Sequence, residues 1–284
     1  MRTPRSFVPL LLVVAFAGCD QEKGRNERQK IREQDVPKVL ELVRQDIDRG
    51  RRGVREAADR MARGFLVEDP AQQEREMRTV MRRFQQPPRA INDLMVSPIS
   101  FVAAVGADGE VIARDAEPDH MKGFDMGEEV PVVGRALEGE AGYELSELPS
   151  LEEGEEPSVT VIFAAPARHE GRVVGAMVAG LPLWRMAQQM SRQLQLEHAE
   201  AVQGGELIWA LFYRGDELHY HAGFPPDLRE LVPSHEERQA GLEESPGGYT
   251  GEFQQFGRWY GYGVLPLPSL GEDVGAVIFR SDPV

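Results

Sequence analysis

Four pairs of glycine and proline positions recur in this chain at constant spacings, and they constrain its fold more than any other feature. Gly109 and Gly215 are 106 residues apart, as are Gly142 and Gly248; Pro166 and Pro266 are 100 apart, as are Gly175 and Gly275. Each pair falls at the same point in a repeated order of apolar runs and turns. Phe101 to Val105, a turn at Asp108-Gly109 and Val111 to Ala113 read as a β-hairpin. Its echo is Leu207 to Tyr213, a turn at Arg214-Gly215-Asp216 and Glu217 to Ala222. Ser158 to Ala165 and Val173 to Ala179, joined by His169-Glu170-Gly171, form a second hairpin, answered by Trp259 to Leu265 with Val274 to Arg280. Residues 116 to 129 read as loop, Val130 to Leu137 as a short helix opened by Pro131, and the acidic stretch Glu138 to Pro157 as a surface loop. Trp184 to Val202 returns to helical spacing, Asp227 to Leu242 is a helical patch, and Gly247 to Glu252 echoes the Gly142-Tyr143 region. The pattern predicts duplication of one α/β module, over residues 91–203 with a linker helix and again over 204–284.

Residues 35–90 precede the first module and read as helical. Val36, Leu40, Val43, Ile47, Gly50, Val54, Ala57 and Met61 fall on one stripe. Such a stripe suits either a coiled-coil seam or a helix laid against its own domain, and Gly50 weakens the first reading. Asp69-Pro70 with Gln72 is a helix start, and Met77, Val80, Met81 and Phe84 give that helix an apolar face that Pro87-Pro88 ends.

The amino terminus reads as a targeting segment: Arg2 and Arg5, an apolar run from Phe7 to Phe16, and small residues Ala17-Gly18 before Cys19. The run is too short to span a bilayer. This arrangement resembles the lipobox of bacterial lipoproteins, which implies cleavage after residue 18, a lipid anchor on Cys19 and a location on the periplasmic face of a membrane. Asp20 leans toward the inner membrane, while the outer membrane stays open. Residues 19–34 then read as a flexible, polar tether. Cys19 is the sole cysteine, so no internal disulfide can form and the fold must rest on its apolar core. Loss of residues 1–18 moves the formal charge from −15 to −17, a surface that repels phosphate backbones and excludes nucleic acid as a partner. No stretch beyond residue 19 is apolar enough to cross a membrane, so any signal would pass through a membrane-protein partner.

No catalytic arrangement can be assembled, and no cofactor is expected. His235-Glu236-Glu237-Arg238-Gln239 begins like a zinc-protease helix but has Gln239 where the second histidine belongs. Gly261-Tyr262-Gly263 is followed by Pro266 where a dinucleotide loop needs glycine. Two strand patterns are candidates for binding. His219 and His221 would share a strand face, either as a metal or carboxylate contact lacking a third ligand or as solvated rim histidines. Arg258, Tyr260 and Tyr262 alternate onto one face, where an arginine beside two phenols suits a small carboxylate; the competing reading is an ordinary strand with one polar face. Arg114, Tyr143 and Arg168 are the equivalent candidates in the first module.

The hairpin at Asp108-Gly109, the stretch Gly123-Phe124-Asp125-Met126-Gly127 leading to Val130-Pro131 and Leu137-Glu138-Gly139, and Phe163-Ala164-Ala165-Pro166 through Gly175-Ala176 resemble extracellular Cache sensor domains. The resemblance covers residues 97–183 clearly and 205–281 diffusely, as in a double Cache. It implies an α+β fold: a long amino-terminal helix followed by two PAS-like antiparallel-sheet modules, each with short helices over one face and room for a small-molecule ligand. Amino-acid-binding members carry an aspartate just after the last strand of the module; Val178-Ala179-Gly180-Leu181-Pro182 has none, which speaks against that ligand class. The function expected is a periplasmic, membrane-anchored ligand sensor, monomeric or homodimeric, with a structural adaptor lacking any small-molecule ligand as the alternative.

Overall fold

The computed structural model describes residues 16–149 and 157–283, with side chains from residue 22 onward. The expected leader, including Arg2 and Arg5, lies outside the described residues. Cys19 lies on the first helix, with its side chain outside them.

Two five-stranded antiparallel sheets have the same strand order. The first holds β1 (Phe101–Gly106), β2 (Val111–Arg114), β3 (Gly142–Leu148), β4 (Ser158–His169) and β5 (Arg172–Pro182), in the order β2-β1-β5-β4-β3. The second holds β6 (Ile208–Arg214), β7 (Glu217–His219), β8 (Tyr249–Gln255), β9 (Arg258–Pro266) and β10 (Val274–Ser281), in the order β7-β6-β10-β9-β8. One glycine pair of the repeat does equivalent work: Gly109 and Gly215 close the first hairpin of each sheet at φ +94° and +56°, where a side chain would be strained. Strand β3 corrects the reading of 138–157 as a loop. Glu144 alternates with Tyr143 and Leu145, half-buried at a sheet edge, while Glu147 falls on their side of the strand, so charge broke the period-two pattern.

Helices wrap the sheets on both sides. Helix α1 (Phe16–Lys30), a π-helical turn at Ile31–Asp35 and α2 (Val36–Met61) run down the inner side, joined by α3 (Pro70–Phe84), α4 (Asn92–Val96) and α7 (Leu183–Glu197), while α8 (Ala199–Gln203) continues the linker beyond His198. Asp69 caps α3 by accepting from the N–H of Ala71 at 2.9 Å, as its position before Pro70 predicts. The inner faces of both sheets share one core, with Phe163 and Met177 from the first, Phe212 and Ile278 from the second, and Val43, Val54, Met186 and Met190 from the helices. Helix α2 therefore lies on its own domain. Gly50 sits under the Phe163 ring, where a Cβ would stand 2.4 Å from the ring, so this glycine permits close approach. Leu40 departs from the expected stripe: it is 43% exposed, because the buried side runs through Val39 and Leu42.

The flexible tether expected over 19–34 is instead helical, with Gly24, Glu27 and Ile31 buried along one side. Strand β9 presents Gly261 and Gly263 to the inner side, and α1 lies on this flattened surface: a Cβ at Gly261 would stand 2.6 Å from the backbone nitrogen of Arg28, and one at Gly263 2.6 Å from Ile31. Ile31 is fully buried. The segment looked like a spacer because its buried side carries charge matched from elsewhere in the chain. Arg280, 2% exposed at the end of β10, meets Glu206 at 2.8 Å, Glu27 at 3.2 Å and Asp35 at 3.4 Å. Lys30 bridges Glu27 and Glu206 at 2.8 Å each, and His198 reaches Asp35 at 2.9 Å.

Candidate functional site

The outer faces of the two sheets, each beneath its own pair of short helices, differ in how they are filled. Over the first sheet, α5 (Met126–Glu129) and α6 (Pro131–Leu137) bring Met126, Val130, Val132, Val133 and Ala136 down onto Phe101, Val105, Ile162, Ala176 and Val178. All ten of these are buried. These side chains, aliphatic apart from Phe101 and Met126, pack together because β1, β4 and β5 are apolar on both faces.

Over the second sheet, α9 (Pro226–Arg229) and α10 (His235–Glu244) stand above rings. Register brings the rings together: Phe253 pairs across the ladder with Tyr260, and Gly251 with Tyr262. Phe253 and Tyr260 stack at 5.1 Å and 8°, Tyr249 meets Tyr262 edge-on at 6.3 Å, and Phe279 closes on both Phe253 and Tyr262. Two glycines seat the outer tyrosines. A Cβ on Gly251 would lie 2.3 Å from the Tyr262 ring, and one on Gly241 of α10 would lie 2.4 Å from the Tyr249 ring. Tyr249, Phe253 and Tyr262 are only half-buried, unlike the sealed core of the first sheet.

The result is an open crevice of ≈470 Å³ lined by Glu230, Leu231, Val232, Pro233, Glu237, Ala240, Tyr249 and Tyr262. Burial pushes the Tyr249 phenol up to about 12, aided by its tyrosine neighbours and by the Glu237 carboxylate. Burial, then the same carboxylate, raises Tyr262. Both phenols thus remain neutral donors at neutral pH, facing a negative rim.

Ser234 and Glu237 form a reciprocal capping box that opens α10, so Glu237 is held at the crevice edge while it satisfies the backbone N–H of Ser234 at 2.8 Å. The protease-like run around it is structural. Gln239 donates to Asp273 at 2.6 Å, His235 lies 3.7 Å from the same residue, and Arg238 turns inward over the Tyr213 ring at 4.4 Å. Among the described residues, no group of three or more His, Cys, Asp and Glu side chains is placed to hold a metal ion.

The structure brings together only part of the expected residues. Tyr260 and Tyr262 share the aromatic face, but Arg258 is turned to the sheet end, where it donates to the Gly205 carbonyl at 3.1 Å and Ser281 Oγ at 3.2 Å. The His219/His221 alternation fails because β7 stops at His219. His221 contacts Gln188 at 2.8 Å and accepts from the Gly223 N–H, whereas burial lowers the His219 pKa. In the first module, Arg168 donates to the Gly139 carbonyl at 2.9 Å, and Tyr143 lies on the inner side, bonded to the Ser269 carbonyl at 3.1 Å. Arg114 ends β2 beneath α3, where its backbone N–H meets Asp119 at 2.9 Å. The three are separate. Tyr249, Phe253, Glu230 and Glu237 went unrecognised in the sequence; the alternation Tyr249, Gly251, Phe253 opposite Tyr260 and Tyr262 was the available signal.

The architecture matches solved sensory domains over nearly its whole length. The sensor domain of the Vibrio cholerae histidine kinase DctB superposes with a TM-score of 0.50 at 12% identity, over 93% of this chain and 98% of that one. These neighbours are Cache-type sensor domains, and the chain shares their fold. The ligand-binding domain of the Campylobacter jejuni chemoreceptor Tlp3 superposes at 0.55 in its complex with L-valine, with 8% identity and 93% and 95% of the two chains covered. Its complex with 4-methylisoleucine gives 0.55, with 9% identity and 97% and 96% covered. No protein-family model matches the sequence, and no curated protein does. At these identities the likeness is one of fold.

Proposed function

We propose that this chain is a lipid-anchored periplasmic sensor that binds a small molecule in the crevice on the outer face of its second sheet and reports occupancy to a membrane-protein partner. The contrast between the two outer faces carries the reading: buried, mostly aliphatic side chains fill the first, while half-buried rings and convergent polar groups line the second. The sensory role of the fold neighbours supports it, as does the leader-like segment ending at Cys19. An acyl chain on Cys19 would attach at the start of α1, the helix that rests on β9, and would hold the second sheet nearest the membrane. The two conformations that signal would have to differ in affinity for the ligand.

Thermal unfolding of the chain from residue 20 onward, screened against small carboxylates, amines, amino acids and purines, tests the site. A ligand at 100 times its dissociation constant adds about 2.7 kcal/mol, which at about 2–4 °C per kcal/mol raises the transition by ~5–10 °C. The rise should vanish in Tyr262→Leu. No rise with any compound would favour the adaptor reading, which the filled first face supports. Fatty-acid labelling of the full chain should be lost in Cys19→Ser; retained labelling would refute the anchor.

A further inference from the structure

The second crevice has a charge character that sets its ligand class. Its walls are aromatic, its rim is acidic, and the guanidinium groups of Arg229, Arg238 and Arg258 are engaged elsewhere. Arg229 donates to the Tyr220 hydroxyl at 2.6 Å and lies 4.9 Å from the centre of that ring. Arg238 is buried against Tyr213 and bound to the Pro233 and Gly215 carbonyls. Arg258 is tied to the far end of the sheet. The crevice therefore presents the Tyr249 and Tyr262 rings and the exposed carboxylates of Glu230 and Glu237, with no cation among its lining residues. A carboxylate ligand would meet two like charges without a guanidinium to pair with. An organic cation would meet ring faces, which attract positive charge through their quadrupole, and carboxylates to balance it. The chain's −15 formal charge would raise the local concentration of such a ligand.

We infer that the crevice between α10 and strands β8 and β9 takes a small organic ammonium ion, seated on Tyr249 and Tyr262 and balanced by Glu230 and Glu237. This rests on the reading of that crevice as the ligand site, and it replaces the carboxylate that the Arg258-Tyr260-Tyr262 pattern suggested. The glycine seats make the arrangement specific. Gly251 and Gly241 hold the two rings at the crevice wall, and a side chain at either position would displace a ring.

Three probes of nearly one shape isolate charge: choline, its neutral isostere 3,3-dimethylbutan-1-ol, and the anion 3,3-dimethylbutanoate, each titrated calorimetrically into the detergent-solubilised full chain. Choline should bind at least about ten-fold more tightly than the neutral alcohol, and the anion should not bind. In Glu230→Gln/Glu237→Gln the choline advantage should fall to about two-fold or less while the alcohol is unaffected; glutamine at 237 preserves the capping box, so the helix stays in place. Tyr262→Leu should weaken choline and the alcohol together. Equal affinity for choline and the alcohol, or binding of the anion, would overturn the ammonium assignment and leave a ligand site standing. Binding of none of the three at millimolar concentration would overturn the assignment, and no thermal shift with any other compound would remove the site as well.

Discussion

Replacing Arg280 with methionine should release the amino-terminal helix from the second sheet. The guanidinium is 2% exposed and touches three carboxylates, on Glu27, Asp35 and Glu206, which come from α1, the π-helical turn and the linker before β6. Lys30 reaches two of them and His198 the third, so removing Arg280 leaves three buried carboxylates with one permanent cation. Breaking a buried pair costs about 3–5 kcal/mol, because the remaining charge stays desolvated. At about 2–4 °C per kcal/mol the transition should fall by ~6–20 °C at pH 7.5. The loss should shrink on acidification. Burial already raises the Asp35 pKa against the pull of Arg280 and His198, so without Arg280 its protonated form is favoured further. A carboxyl whose folded pKa is raised destabilises as pH rises through that value and ceases to do so once it is protonated in both states. Thermal unfolding followed by circular dichroism at pH 7.5 and pH 5 gives both numbers, and hydrogen exchange over residues 22–35 shows whether α1 comes free. Arg52→Ala is the control: it cuts an equally well-formed pair with Asp93, at 2.9 and 3.0 Å, but in solvent, and should leave the transition in place. A fall below about 1 kcal/mol in Arg280→Met, or equal falls in the two variants, would refute the claim that burial gives this cluster its weight.

Three further substitutions probe the same framework. Gly261→Ala places a Cβ 2.6–2.8 Å from the α1 backbone, which cannot rotate away, and should cost about 1–3 kcal/mol in denaturant unfolding, whereas Gly247→Ala, with open space around it, should cost nothing measurable. Burial pushes the Asp46 carboxyl up to about 6 against the pull of Arg49 and the Gln189 amide, so the stability tied to it is fully present below pH 3.8 and lost as pH rises through about 6. Asp46→Asn should therefore raise the unfolding free energy at pH 7.5 by up to about 3 kcal/mol, at 1.36 kcal/mol per pH unit, and flatten the pH profile between 4 and 7; an unchanged profile would count against it. Asp69→Ala should cost about 1 kcal/mol through loss of the α3 cap, read by the same unfolding assay.

What could be read from the sequence was what local chemistry decides. The turn glycines, the Asp69-Pro70 helix start and the apolar runs of β1, β4 and β5 carry their structure in their own residues. What could not be read depended on partners distant in sequence. The segment 22–34 looked like solvated tether because Glu27 and Lys30 find their counter-charges on Arg280 and Glu206, well over a hundred residues away. Strand β3 was hidden by glutamates that a sheet edge tolerates. At the site, alternation put Tyr260 and Tyr262 on one face, and the structure does so, but the same alternation assigned Arg258 to them. It cannot foresee that the first residue of a strand is claimed by the Gly205 carbonyl and Ser281 at the sheet end.

Strand β9 joins the proposed ligand face to the proposed anchor. Its even positions, Tyr260 and Tyr262, form the aromatic floor on the outer side, while its odd positions, Gly261 and Gly263, carry α1 and Ile31 on the inner side. Side chains alternate across a strand, so a displacement of β9 that reseats the tyrosines must also change the surface on which α1 lies. Gly261 makes that surface unforgiving, because there the contact with α1 is backbone against backbone, while Gly263 meets the Ile31 side chain. The charged joint at Arg280 fastens the same helix to the neighbouring strand β10, which pairs with β9 from Gly275↔Pro266 to Ser281↔Tyr260. Two arrangements of α1 on β9 with different affinities for the ligand would suffice to carry occupancy from the crevice to the helix that bears Cys19, without any change in the sealed first module.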